Sequence, residues 1–347
     1  MEIGSEFWLD SEYEECCSYI RQDGLHVLAG RTAVDIIIQD ILAKRNIRNV
    51  YMPAYCCESM IAPFINRDIE VNLYDVDFNG RSLIYNIDIN YDTDIFYVTN
   101  YFGYSNNVSE SIIKYFSTKG SIILYDKTHS LFSKETSVDI LADYSFASVR
   151  KWIGVVCGAV VSKKNDTIEA NLLKCPYINH RVEAMKEKGR YIAGDTTMKK
   201  QSFLEKYATF NNLLIEDYRN YEMDNLSYTI WKETDKNHIR DIRQQNASVL
   251  HNNINTIFLG ELKPDIIPIF VPIFFETKEE RDLVRKTLID NKIYPPVHWP
   301  KNSLITPAMK VNKIFDTELS LICDQRYTEN DMYKIVNVIN SIKNNIN

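Results

Sequence analysis

The chain has 347 residues, of which 45% are apolar and 25% charged, enough to build one large domain with a full core and a smaller second one. Its net charge of -7 and pI near 5.5 argue against a nucleic-acid-binding surface, which needs a concentrated basic face. Small molecules are the expected partners, and a local basic pocket for a phosphorylated one is compatible with the same charge.

The first residues, MEIGSEFWLDSEYEECC, form an acidic arm in which no basic segment leads into an apolar one. No secretory signal is therefore expected, and the protein is expected to be cytoplasmic. Ala29-Gly30 then opens RTAVDIIIQDILAKRN, whose apolar residues recur at helical spacing. Strand-like runs follow at NVYMPAY (49–55), IEVNLYDVD (69–77), DIFYVTNYF (94–102), SIILYD (121–126), DYSFAS (143–148) and GAVVSK (158–163). Helix-compatible stretches lie after several of them, notably 57–66 and 107–118. This alternation predicts a mostly parallel sheet covered by helices on both faces.

Residues 164–257 read as long, charged helices with no strand signal. The C-terminal part predicts a strand at IIPIFVPIFF (266–275), a helix at KEERDLVRKTLIDN (278–291), a strand near IYPPVHW (293–299) and a final helix from Glu329. The division that follows is a large domain over 1–240 and a small α/β domain over 241–347. The run IIPIFVPIFF carries two prolines and is about half as long as a bilayer crossing requires, so no membrane span is expected.

Seven cysteines, an odd number, include the adjacent pairs Cys16-Cys17 and Cys56-Cys57 but no C-x-x-C spacing. Reduced thiols fit this better than a disulfide framework, and no structural metal is expected. The dinucleotide signature G-x-G-x-x-G and the P-loop signature are both absent.

The stretch YDKTHSLFSKETSVDILADYSFASVRKW (125–152) concentrates the chemistry. Asp126 ends one apolar strand and Lys151 lies just beyond another, where open α/β sheets place their ligands. An Asp and a Lys at this separation also fit a surface ion pair. What singles out Lys151 is its place between Ser145-Phe146 and the small-residue run GVVCGAVV, away from any charged face. The pair suits pyridoxal phosphate: a lysine can hold the aldehyde as a Schiff base while a carboxylate keeps the pyridine nitrogen protonated.

Taken in order and spacing, AGRTAVD, VYMPAY with its following helix, the D-x-x-H of Asp126 to His129, YSFASVRKW, VHWP and CDQRYTENDM resemble the DegT/DnrJ-type sugar aminotransferases. The resemblance spans nearly the whole chain. It implies the pyridoxal phosphate-dependent transferase fold type I and an active homodimer with each cofactor at the subunit interface. It also implies transfer of an amino group from an amino acid, glutamate by expectation, to a keto sugar that is nucleotide-linked. Lys151 resembles the Schiff-base lysine and Asp126 the partner of the pyridine nitrogen. Ser145 resembles the phosphate-contacting serine, and Thr32 with Ala33 the helix-start residues whose amides meet the phosphate. For Thr32 a plain helix cap is the alternative. His129 stands where many members carry a glutamine beside the ring.

Three features depart from the family. Cys56-Cys57 stands where many members have a ring-stacking aromatic. The Asn-Tyr-Arg segment that reaches a neighbouring subunit's phosphate is missing, with KGRYIAGDTT in its place. The lysine lies one residue further from the serine than is common. Two other readings remain: a lyase or dehydratase on the same cofactor, although the known sugar dehydratases of this kind replace the lysine with histidine, and a non-catalytic binding module on the same fold.

Overall fold

The structure, a computed structural model, describes residues 2–9, 24–104, 108–134 and 136–346. Cys16 and Cys17 lie outside them. In chain order the first half contains β1 (Ile3–Gly4), β2 (Leu25–Val27), α1 (Gly30–Leu42), β3 (Asn49–Pro53), α2 (Glu58–Ile65), β4 (Glu70–Phe78), β5 (Leu83–Asn86), β6 (Ile95–Thr99), α3 (Glu110–Thr118), β7 (Ile122–Asp126), α4 (Ser137–Leu141), β8 (Tyr144–Ser148) and β9 (Ala159–Lys163). Eight of these strands form one sheet in the order β2-β9-β8-β7-β6-β3-β4-β5. The five central strands are parallel, and β9, β2 and β5 add antiparallel pairings at the two sides.

Burial explains why these runs are strands. All five residues of β6 are buried, as expected for a central parallel strand covered on both faces. One face packs on α1 and α2 through Val34, Ile37, Ile38, Ile41, Ile61 and Phe64. The other is covered by an aromatic-rich cluster that includes Tyr51, Tyr74, Phe96 and Phe116. The six expected strands and the helices expected over 57–66 and 107–118 are present, with ends shifted by a few residues. The two-residue β1 and the short β2 and β5 carry too few apolar residues to announce themselves.

Four helices follow: α5 (Ile178–Ile192), α6 (Lys200–Glu216), α7 (Asn225–Glu233) and α8 (Lys236–Asn253). Between α6 and α7 the chain returns to the sheet side, where Glu222 bridges Val27 and Tyr221 bridges Leu173. The C-terminal unit holds β10 (Ile257–Phe258), β11 (Val271–Phe274), α9 (Lys278–Asp290), β12 (Ile293–Tyr294), α10 (Val311–Thr317), β13 (Glu318–Leu321) and α11 (Glu329–Ile346). Its own core joins Ala247, Leu250, Val271, Leu319, Met332 and Ile335. Because α8 supplies part of that core, we propose to count the helix, and with it residue 240, in the C-terminal unit.

Two expected strands are shorter than the sequence suggests, and both shortfalls serve the site. Residues before 271 leave the sheet and cross to the large domain, where Ile269 N–H donates to Phe102 O at 3.1 Å. Gly103, at φ +83°, permits this approach, since a Cβ there would sit 2.3 Å from Ile267 O. After β12 the chain continues as an irregular segment that carries His298 and Trp299 toward the large domain. Among the described residues, no helix is long and apolar enough to cross a membrane.

Candidate active site

The C-terminal ends of β6, β7 and β8 open onto one cavity, where a parallel sheet gathers the residues that leave its strands. Its lining includes Gly30, Arg31, Asp126, His129, Ser148 and Lys151. Asp126 and Lys151 are thus brought together by adjacent strands, since Asp126 pairs in register with Phe146.

Lys151 closes a single turn over 149–151 directly after β8. The backbone around it is pinned: Ser148 N–H donates to Thr128 Oγ1 at 3.1 Å, and the buried Trp152 donates from Nε1 to Thr128 O at 2.6 Å. Among the described residues the Lys151 ammonium has no hydrogen bond or ion pair, so it is held by its backbone and not by a partner.

Asp126 is 6% exposed and both its oxygens accept hydrogen bonds, Oδ1 from Thr128 N–H at 2.8 Å and Oδ2 from the Tyr97 hydroxyl at 2.9 Å. Burial raises its pKa, opposed by the Thr128 bonds, the Lys151 charge and the Tyr97 bond. A carboxylate in this setting gains from any cation brought against it. Tyr97, on β6, is a site residue that no motif in the sequence reveals.

His129 is buried, and its Nδ1 accepts from Phe102 N–H at 3.3 Å. That bond assigns the ring proton to Nε2. Burial, then the charges of Lys151 and His298, holds its pKa well below the usual histidine range, so the ring is neutral. Trp299 stacks on it with centroids 5.5 Å apart and planes at 27°. Trp299 also lines the cavity, as does Cys57, the N-cap of α2. The C-terminal unit thus brings an aromatic ring to the cavity.

Three expected contacts move. Ser145 is not part of the cavity lining, because side chains alternate along β8 and the lining comes from Phe146 and Ser148. Ser148, three residues before Lys151, lines the cavity in its stead, two residues closer to the lysine than the common spacing. Thr32 turns its hydroxyl away, donating to Tyr218 O at 2.8 Å, while its amide remains in the first turn of α1 with those of Gly30 and Arg31. The Ala33 amide is already bonded to Ala29 O at 2.9 Å, and the side chain lies in the core behind α1.

Two arginines at this end of the cavity were also not anticipated. Arg31 donates from Nη1 to Leu214 O at 3.1 Å and is half-buried. Arg150 has no hydrogen bond or ion pair among the described residues, and its Nε is buried without a partner. Burial and the neighbouring Arg181 charge push the Arg150 guanidinium down to about 10, against the pull of Glu6; burial lowers Arg31 too. With Lys151 they place three cations around the cavity against one carboxylate, Asp126. An anion at the start of α1 would meet free amides, the helix dipole and both guanidiniums.

The segment KGRYIAGDTT runs from α5 into the following turn, where Lys188 bonds Glu6 O and Arg190 pairs with Asp195 at 2.7 Å. Nearby, Arg181 bonds Glu6 at 2.8 Å. Among the described residues no group of three or more His, Cys, Asp or Glu is placed to hold a metal ion.

No protein-family model and no curated protein sequence matches the chain. Its fold does match solved structures. The aminotransferase TlmJ from Streptoalloteichus hindustanus superposes with a TM-score of 0.64 at 12% identity, over 91% of this chain and 84% of that one. PseC from Helicobacter pylori, an aminotransferase involved in pseudoaminic acid biosynthesis, gives 0.61 at 14% identity over 91% and 85%. NtdA from Bacillus subtilis, solved with bound cofactor PMP, gives 0.59 at 16% identity over 91% and 73%. The chain has the fold of these proteins, the type I fold of the pyridoxal phosphate-dependent transferases.

Proposed function

We propose that the protein is a pyridoxal phosphate-dependent aminotransferase that moves an amino group from an amino acid, glutamate by preference, to a keto sugar that is nucleotide-linked. The observation that carries this reading is the division of one cavity into two chemically distinct ends. A buried carboxylate, Asp126, and an unpaired lysine, Lys151, lie at one end; two arginines short of anions lie beside a helix N-terminus at the other. Such a cavity fits a molecule with a dianionic phosphate, a basic ring nitrogen and an aldehyde. Support comes from the sugar aminotransferases that share the fold, among them CalS13 from Micromonospora echinospora. Homodimerisation belongs to the same reading.

In this reading Lys151 holds the cofactor covalently, and the amides of Gly30, Arg31 and Thr32 hold its phosphate together with Ser148, Arg31 and Arg150. Asp126 faces the ring nitrogen, and His129 donates from Nε2 beside the ring. The bound cofactor supplies an electron sink for the substrate carbon next to nitrogen. Lys151, displaced as a free amine, moves the proton at that carbon. Lysine at position 151 also favours transamination over dehydration.

Two outcomes are expected. Arg150→Met weakens binding of pyridoxal phosphate to the cofactor-free protein by roughly 30-fold or more, because a charge-assisted contact to a buried anion is lost; equilibrium dialysis measures it, and an unchanged affinity removes Arg150 from the phosphate site. Glutamate alone converts the lysine-bound cofactor to its amine form with stoichiometric release of 2-oxoglutarate, followed by absorbance. A lyase would release product without accumulating the amine form, and a binding module would give no conversion.

A further inference from the structure

A second cavity adjoins the first, and Arg150, Lys151 and Trp299 line both. His298 lines the second one, at the end of a chain of buried hydrogen bonds. Its Nδ1 lies 2.8 Å from Ser320 Oγ, Ser320 Oγ bonds Glu318 Oε1, and Glu318 Oε2 accepts from His298 N–H at 2.9 Å. Glu318 and Ser320 are 0% exposed and His298 8%. Among the described residues His298 Nε2 has no partner. Among the described residues no cation bonds the Glu318 carboxyl: Arg281 donates to the Glu318 main-chain oxygen at 3.2 Å and pairs with Asp282 at 2.7 Å. A buried carboxyl hydrogen-bonded at both oxygens but without a cation is connected through Ser320 to the edge of a cavity.

We propose that Glu318, Ser320 and His298 form a proton relay that delivers a proton to the oxygen leaving the keto substrate beside Lys151. This rests on the aminotransferase reading, in which the substrate carbonyl oxygen departs as water when the amine takes its place. The C–O bond of the carbinol breaks with its electron pair on oxygen, and the amine nitrogen's lone pair closes the C=N bond. The leaving oxygen takes the proton from His298 Nε2. The Ser320 hydroxyl, which donates to Glu318 Oε1 in the structure, turns to Nδ1 and gives it its proton, and the Glu318 carboxyl proton replaces it on Ser320. The imidazole ends neutral, and the net change is one proton from Glu318 to water. His298 is the group that touches substrate, whereas Glu318 and Ser320 act through it.

The electrostatics agree. Burial pushes Glu318 up to about 8, against the Ser320 and His298 bonds and the Arg281 charge, so the proton is present at neutral pH. Burial, then the Lys151 charge, holds His298 down to about 3, which keeps the ring a neutral conduit. The ionisable groups facing the chain are Arg281 and Tyr55 around Glu318, and Lys151 and His129 around His298.

The test has two arms. In the cofactor-free protein, infrared difference spectra should show a protonated carboxyl band that is lost with a midpoint near pH 8 and is absent from Glu318→Gln. In the protein loaded with pyridoxamine phosphate, the single-turnover rate with 2-oxoglutarate should fall about tenfold per pH unit above that midpoint. Glu318→Gln and Ser320→Ala should lower the rate at neutral pH by roughly 10²-fold and flatten the alkaline limb, while Ser320→Thr restores most of it. A merely structural role would lower the rate without moving the limb. The relay is overturned by the absence of a titrating band, by a wild-type linear proton inventory, or by a Glu318→Gln variant with the wild-type rate and limb. A wild-type protein that converts neither glutamate nor 2-oxoglutarate overturns the aminotransferase reading and the relay's role with it.

Discussion

Replacing Lys151 by alanine is expected to lower turnover by roughly 10⁴-fold or more, the scale on which loss of a covalent participant is felt. Borohydride reduction of the wild-type protein with pyridoxal phosphate should place the label on Lys151 alone, read by peptide mass mapping. The variant should fold normally, since Lys151 is half-buried and bonds to no other side chain among the described residues. It should still bind the cofactor without a covalent link, because the proposed phosphate contacts at the start of α1 do not involve Lys151. A label on another lysine, or turnover within tenfold of wild type, would sink the assignment of Lys151 and the proposed function together.

The second large effect is at Asp126. Asp126→Asn should slow turnover by on the order of 10²–10³-fold while weakening cofactor binding far less, because the amide keeps the shape but cannot hold a ring nitrogen protonated. Its stability should move the other way. Burial raises the Asp126 pKa in the folded protein, so the stability tied to its protonated form is present at low pH and lost as pH rises through the folded value. At neutral pH the cofactor-free Asn variant should therefore be at least as stable as wild type. Thermal unfolding with and without cofactor separates the two: loading should raise the wild-type melting temperature more than the variant's. A variant that turns over normally would give Asp126 a purely structural role with Tyr97 and Thr128.

The local sequence was sufficient to single out Asp126, Lys151 and His129, which the fold gathers around one cavity, and for most of the sheet. A buried parallel strand must be a short apolar run, so β6, β7 and β8 were legible. The residues that leave their C-terminal ends were candidates by position alone. The same local reading named Ser145, whereas Ser148 lines the cavity. Ser145 and Ser148 are both on β8, and which faces the cavity is a matter of strand parity and register with β7, not of residue type. It also assigned Ala33 to the phosphate end, although the turn of α1 in which amides run free is fixed by where the helix starts. For the helix cap at Thr32, the hydroxyl found Tyr218, far along the chain, while the amide kept its place.

What only the tertiary structure decided are contacts between segments far apart in sequence. Tyr97 meets Asp126 because β6 and β7 lie side by side in register. Trp299 stacks on His129 because the segment after β12 leaves its small sheet and crosses to the large domain, and nothing in the run IYPPVHW dictates that crossing. Arg31 and Arg150 become a pair only when the start of α1 and the end of β8 are packed together around one cavity. No local pattern singles out the acid at Glu318. Its burial on β13, with no cation for its carboxyl, is set by α9, α10 and the His298 segment closing over it. Local pattern specifies which side chains a strand or helix carries; charge and proton affinity depend on desolvation and on distant neighbours, and those exist only once the chain has folded.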